Sequence, residues 1–186
     1  RLGNLTMQAY GNVVINEAVA SGATVRITST DGSIARGKID NSRAVGHARP
    51  QQIYLQAAQN IGTLPNTPFV VDNAAYIDLR TTHGDILASV AYPGQLYARA
   101  GRDAIVTGHL GANADIGAGR DVNLRSALSG ERFVVSAGQD LLMGQMTATR
   151  IGATVGRDAI FDVGNNAFFN DRSSIWLTAG YNGNAM

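Results

Sequence analysis

No cysteine occurs among the 186 residues. That excludes a disulfide scaffold, a Cys-ligated metal site and a thiol nucleophile. Lysine is nearly as scarce: Lys38 stands alone against 14 arginines. Set against 14 acidic residues, the formal net charge is +1, so there is no electrostatic case for a nucleic acid or an anionic membrane as partner. No apolar run approaches the roughly 18 residues of a membrane span. Long stretches of helix-favouring residues are missing as well. Proline is confined to four sites, Pro50, Pro65, Pro68 and Pro93. The start, Arg1-Leu2-Gly3-Asn4, shows no leader pattern and falls inside a strand-like alternation. The chain therefore reads as a piece of something longer.

What is abundant is glycine, 22 residues of it, together with Val, Ile and Thr. That balance favours an all-β fold. The arrangement is not random. A corner phrase recurs as Ala100-Gly101-Arg102-Asp103, Ala118-Gly119-Arg120-Asp121, Ala137-Gly138-Gln139-Asp140 and Val155-Gly156-Arg157-Asp158. Taking the Asp as marker, the spacings are 18, 19 and 18. The same position extends upstream to Asn12, Ser33, Asn60 and Asp85, and downstream to Asn182. A fixed period near 20 residues is the mark of stacked rungs.

Around each marker apolar residues alternate with polar ones. Leu5, Met7 and Ala9 precede Asn12, and Val13 and Ile15 follow it; Ala114, Ile116 and Ala118 precede Asp121, and Val122 and Leu124 follow. Period two on both sides of a polar corner means two short strands, each with one buried face. Two copies run one residue out of step. There Val25, Ile27 and Ser29, and Ile77, Leu79 and Thr81, lead into corners with Gly32 or Gly84 next to the marker. A corner one residue longer, with a glycine to take a positive φ, restores the register.

These features predict a parallel β-helix (a β-solenoid) of about 8–9 rungs, a single unit over 1–186 that forms a rod roughly 40 Å long at the strand spacing of a sheet. A β-sandwich has no reason to reuse one corner phrase at one period. Small residues such as Ala9, Ala57, Ala100, Ala118, Ala137 and Ala179 are expected to stack at the bend. Prolines and longer spacings place loop insertions at 35–52, 62–75 and 164–174. Projecting loops are where recognition tends to sit. They supply the candidate ligand-binding residues Arg36, Lys38, Arg43, Phe168 and Phe169, to which Trp176, outward by the alternation, is added. The corner residues Ala100, Gly101, Asp103, Ala118, Gly119, Asp121, Ala137, Gly138, Asp140, Gly156 and Asp158 are expected to be structural.

The phrases A-G-R-D-A-I-V, A-G-R-D-V-N-L, A-G-Q-D-L-L and T-H-G-D-I-L resemble the haemagglutinin-type repeats of filamentous haemagglutinin and, more broadly, the exoproteins of two-partner secretion. The likeness is good over 96–186 and looser over 1–95. It implies a right-handed parallel β-helix displayed on a Gram-negative surface or secreted, exported through an outer-membrane transporter, and working in adhesion. The partner is then a receptor or glycan of a host or neighbouring cell. It equally suits the stalk of a contact-dependent growth inhibition toxin. The N-P-N-L and N-P-N-G-I phrases of the family's secretion domain are absent, which points to shaft rather than secretion domain. No functional residue of the family carries over, because the matching positions are scaffold corners.

The search for chemistry returns little. An Asp column (Asp85, Asp103, Asp121, Asp140, Asp158) offers hard oxygen ligands for Ca²⁺. Asn12, Asn60 and Ser33 fill the same slot, however, so turn-capping is the reading adopted, without a metal. Arg102, Arg120 and Arg157 beside that column either grip sulfated sugars or offset the repulsion of the acids. His47, His83 and His109 have no ligand spacing. No nucleophile elbow occurs. A polysaccharide-active β-helix enzyme would need clustered acids, for which Asp78, Asp115 and Glu131 are the candidates. The expectation is a non-catalytic segment without cofactor.

Overall fold

The alternation resolves into seventeen strands and, among the described residues, no helix. The computed structural model describes residues 4–19, 24–40, 52–63, 67–91, 93–124, 128–144, 146–161 and 174–179. Each coil contributes two strands on either side of a marker. β1 (Leu5–Ala9) and β2 (Val13–Val19) flank Asn12; β3 (Thr24–Ser29) and β4 (Ile34–Asp40) flank Ser33. β5 (Gln52–Ala57) and β6 (Phe69–Asp72) follow, then β7 (Tyr76–Thr81) and β8 (Ile86–Ala91). β9 (Gln95–Ala100), β10 (Ala104–Gly108), β11 (Asn113–Ala118) and β12 (Val122–Leu124) make the next two coils. β13 (Leu128–Ala137), β14 (Leu141–Met143), β15 (Met146–Val155), β16 (Ala159–Phe161) and β17 (Ser174–Ala179) complete the chain.

The odd strands form one sheet of nine and the even strands one of eight, each strand beside its counterpart in the next coil. Strand pairing is parallel throughout both sheets. The result is a β-solenoid of about seven turns, slightly fewer than the expected 8–9 rungs. At the ends, β2 pairs with β4 across two register shifts, and β17 has no counterpart in the eight-stranded sheet among the described residues.

Between the sheets lies one continuous core. Val25, Ile53, Ile77, Leu96, Ala114, Phe133 and Ile151 form one inward column of the nine-stranded sheet by register, and all are buried. Ile27, Leu55, Leu79, Ala98, Ile116, Val135 and Ala153 form a second. Opposite them stand the residues that follow each marker: Ile34, Ile61, Ile86, Ala104, Val122, Leu141 and Ala159. Each large aliphatic contributes about 1.5–3 kcal/mol by leaving water, so the core grows with every coil. Met7 has the same inward register as Ile27 yet is 38% exposed, because no described strand stacks on the outer side of β1.

The out-of-step copies regain register as expected: Ala9, Ser29 and Ala57 are partners across β1, β3 and β5. The reason differs from the one expected. Neither Gly32 nor Gly84 takes a positive φ. Each lies so close to the preceding coil that a Cβ would overlap it, at Asn12 and Gly11 for Gly32 and at Gln59 and Asn60 for Gly84. The hydroxyls of Ser29 and Thr81 then serve the longer corners. Ser29 donates to the Gly11 carbonyl at 2.7 Å and Thr81 to the Gly84 carbonyl at 2.7 Å.

Two loop assignments need correction. The insertion placed at 35–52 starts later, because 35–40 completes β4, with Ile34 and Ile39 fully buried. The one placed at 62–75 is shorter, because Phe69–Asp72 is β6. Phe69 and Val71 point into the core, and the Phe69 ring lies against Gly37 of β4, where a Cβ would collide with it. Burying a phenyl in that gap outweighs the turn signal of Pro65 and Pro68. The true excursion leaves the sheet at Gly62, with φ of 82°, and is pinned by paired amide bonds between Thr63 and Thr67. Arg43, Phe168, Phe169 and nearly all of the 164–174 insertion lie outside the described residues.

Candidate functional site

Among the described residues, most of the ordered polar chemistry lies at the marker corner and on the outer face of the nine-stranded sheet. At the corner, each marker side chain accepts the backbone amide of the marker one coil on. Asn12 accepts from Ser33 at 2.8 Å, Ser33 from Asn60 at 3.1 Å, and Asn60 from Asp85 at 2.8 Å. Asp85, Asp103, Asp121 and Asp140 accept in turn from Asp103, Asp121, Asp140 and Asp158 at 3.1, 3.2, 3.1 and 3.3 Å. Capping was expected within each turn; the bond instead runs between turns. That explains why Asn, Ser and Asp share the slot, since all three carry a short side-chain oxygen acceptor.

The arginines belong to the same ladder. Arg102 grips both oxygens of Asp85, Arg120 both of Asp103, and Arg157 both of Asp140, the Nε contacts being 2.8, 2.7 and 2.7 Å. Such bidentate forks are the strong form of this contact. Burial pushes the Asp85 carboxyl up, but the Arg102 bonds, the Asp103 amide and nearby positive charge more than offset it, and its pKa falls below the ordinary value. The Arg157 bonds lower Asp140 similarly. Gln139 takes the arginine position above Asp121, which is left with Arg120 at 3.5 Å. These arginines are therefore committed to the scaffold.

The corner glycines have a separate cause. A Cβ on Gly101, Gly119, Gly138 or Gly156 would overlap a carbonyl oxygen of the coil before it. Beside them Ala100, Ala118 and Ala137 stack in register, with Ala100 and Ala137 buried and Ala118 half-buried. Ser29, Thr81 and Val155 also occupy this bend, so its width tolerates a little more than alanine.

The outer face of the nine-stranded sheet carries three columns. One runs Gln52, Tyr76, Gln95, Asn113, Arg132 and Arg150. The next runs Arg26, Tyr54, Asp78, Tyr97, Asp115, Val134, Gly152 and Trp176. The third, nearest the corner, runs Thr28, Gln56, Arg80, Arg99, Gly117, Ser136 and Thr154. Tyr54 and Tyr97 lie between Ile53 and Leu55 and between Leu96 and Ala98, so simple alternation already points them outward. The sequence reading passed over these tyrosines. Their ring faces are largely occupied. Arg26 lies 4.7 Å over Tyr54, and Arg80 and Arg99 lie 5.0 and 4.4 Å from the Tyr97 centroid. Tyr76 sits 5.8 Å from Tyr54, and burial, with Asp78 next, pushes its hydroxyl pKa up. Arg80 is bonded to both oxygens of Asp78 at 2.8 and 2.9 Å, and Arg99 to Asp115 at 2.7 Å. A hollow of about 400 Å³ opens beside Tyr76, Tyr97, Asn113 and Arg132. A neighbouring one of about 450 Å³ shares Asn113 and Arg132 and reaches Arg150.

The expected ligand-binding residues do not converge. Trp176, 73% exposed, stands at the far end of the nine-stranded sheet. Arg36 and Lys38 are strand residues of β4 in the other sheet, where Arg36 donates to Asn16 at 3.1 Å. Lys38 bridges Asp40 and Asp72 at 3.0 and 3.2 Å, contacts that raise its pKa. Comparison with protein-family models, with curated proteins and with solved structures finds no match. What stands as the class of this protein is the β-solenoid itself.

Proposed function

We propose that the chain is a non-catalytic shaft segment of a secreted or surface-displayed bacterial adhesin, which holds recognition surfaces away from the cell for a receptor or glycan. The observation that carries this reading is the corner ladder. Each coil offers the next a side-chain oxygen acceptor and an inward apolar residue, joined from Asp85 onward by a close glycine approach, so the fold extends by repetition. An architecture of this kind spends its sequence on length and leaves its outer faces for display. Two of the three acids considered for catalysis support the reading, because Asp78 and Asp115 are tied to Arg80 and Arg99. Export through a two-partner outer-membrane transporter goes with the proposal, as the corner phrases suggest.

The test is competition. Purified chain added in excess should block attachment of the producing bacterium to its target cells. Antibody raised against the chain should label intact bacteria or culture supernatant. Labelling only after lysis, with no block of attachment, would remove the proposal. Turnover of an acidic polysaccharide that vanishes in Asp78→Ala or Glu131→Ala would replace it with an enzyme.

A further inference from the structure

Arg132 and Arg150 are register partners on adjacent parallel strands, one strand spacing of about 4.8 Å apart, on the outer face of β13 and β15. Every other arginine of that sheet face is engaged: Arg26 on a tyrosine ring, Arg80 and Arg99 with both an aspartate and a ring. Arg132 and Arg150 have neither an acid nor a ring as partner among the described residues. Like charges directly opposite in a sheet repel, so the pair stands ready for an anion. Two residues further along the same strands the pattern changes from charged to apolar: Val134, Gly152 and Trp176 stack in that order. A Cβ at Gly152 would meet nothing within 4 Å, so open space lies between Val134 and the exposed indole. The rings of Tyr54 and Tyr97 are covered by guanidinium groups and Tyr76 lies against Tyr54; the indole of Trp176 has no such cover among the described residues.

Paired cations beside an open aromatic platform suit one class of ligand. A pyranose ring presents an apolar C–H face to an indole, and a carboxylate on it accepts two parallel bonds from a guanidinium. We infer that Arg132, Arg150 and Trp176 form a binding site for a carboxylate-bearing oligosaccharide, a uronic acid chain, which continues along the hollow past Asn113 toward Tyr97. This deepens the adhesin reading and rests on it. An acidic peptide would satisfy the arginines but leave the indole without a sugar face.

The test is calorimetry of the intact chain with hexagalacturonic acid, with its fully methyl-esterified form, and with hexaglutamate. The free acid should bind, and the ester should bind at least about tenfold more weakly, since it keeps the rings and loses the charge. Arg132→Gln with Arg150→Gln should abolish binding. Trp176→Ala should weaken it about tenfold while the thermal midpoint is unchanged. Equal binding of the ester, undiminished binding in the double arginine variant, or hexaglutamate binding untouched by Trp176→Ala overturns the site. If the chain blocks attachment but ignores the uronate, the site alone falls. If it does neither, the adhesin reading falls with it.

Discussion

The early coils and the late coils solve one problem with different side chains. From Asn12 to Asp85 the markers are spaced 21, 27 and 25 residues apart and begin uncharged; from Asp85 to Asp158 the spacings are 18, 18, 19 and 18, and arginine forks are added. Yet the acceptor-to-amide bond is 2.8–3.1 Å in the first group and 3.1–3.3 Å in the second. The backbone amide at a marker is what each coil must satisfy, and a neutral oxygen does it as well as a carboxylate. Charge comes with regular spacing because carboxylates stacked coil upon coil repel, and the forks offset that. The 25-residue spacing is absorbed in the excursion after Gly62, while β4, β6 and β8 stay in register with one another.

Core filling and backbone closeness should matter most. Gly138→Ala places a methyl against the Gly119 carbonyl and should cost about 2–4 kcal/mol, read as a fall in the thermal midpoint. Gly152→Ala, in open space, should stay within about 0.5 kcal/mol. Equal effects would mean that the corner approach is not what selects glycine. In the early coils, Phe69→Ala empties the space beside Gly37 and should cost about 3–5 kcal/mol. A near-neutral result would return 69–72 to the status of a loop.

Charge comes next. Asp85 is the meeting point of the two regions, 1% exposed, accepting the Asp103 amide and the Arg102 fork. Asp85→Ala should cost about 1–3 kcal/mol, because it orphans a corner amide. Asp85→Asn should cost clearly less, as Asn60 shows that an amide oxygen suffices. If both cost the same, the fork and not the amide bond is the essential contact.

The same contrast predicts the response to acid. The carboxyls of Asp85 and Asp140 are held below their ordinary value, so their contribution is complete above the unfolded pKa near 3.9. It is lost as pH falls below that value toward the folded pKa. Midpoints recorded from pH 6 down to pH 2 should drop below about pH 4, and less steeply in Asp85→Asn. An unchanged slope in that variant would move the acid sensitivity elsewhere. The smallest effect belongs to Arg157→Gln, whose partner Asp140 is already partly exposed. Gln139 is the natural version of that change. The loss should disappear at high salt, and one that persists would show the fork to be more than a screened surface pair.

Much of this was readable in advance. The period, the alternation and the identity of the corner residues placed Val25, Ile77, Ala114 and Ile116 in the core and turned Trp176 outward. Proline and spacing misplaced 35–40 and 69–72, because a turn signal says where a strand is interrupted and not where it resumes. The polar face was legible in principle from Tyr54 and Tyr97, each set between two inward aliphatics.

Sequence alone determined that coils stack and which side of each strand is apolar, because both follow from local periodicity. Which side chains meet was decided only by the tertiary structure. Residues 17 to 28 positions apart become partners when one coil lies on another: Arg102 with Asp85, Asn12 with the amide of Ser33, Thr63 with the carbonyl of Ala35. Register across strands is set by the whole stack, and no single coil contains it.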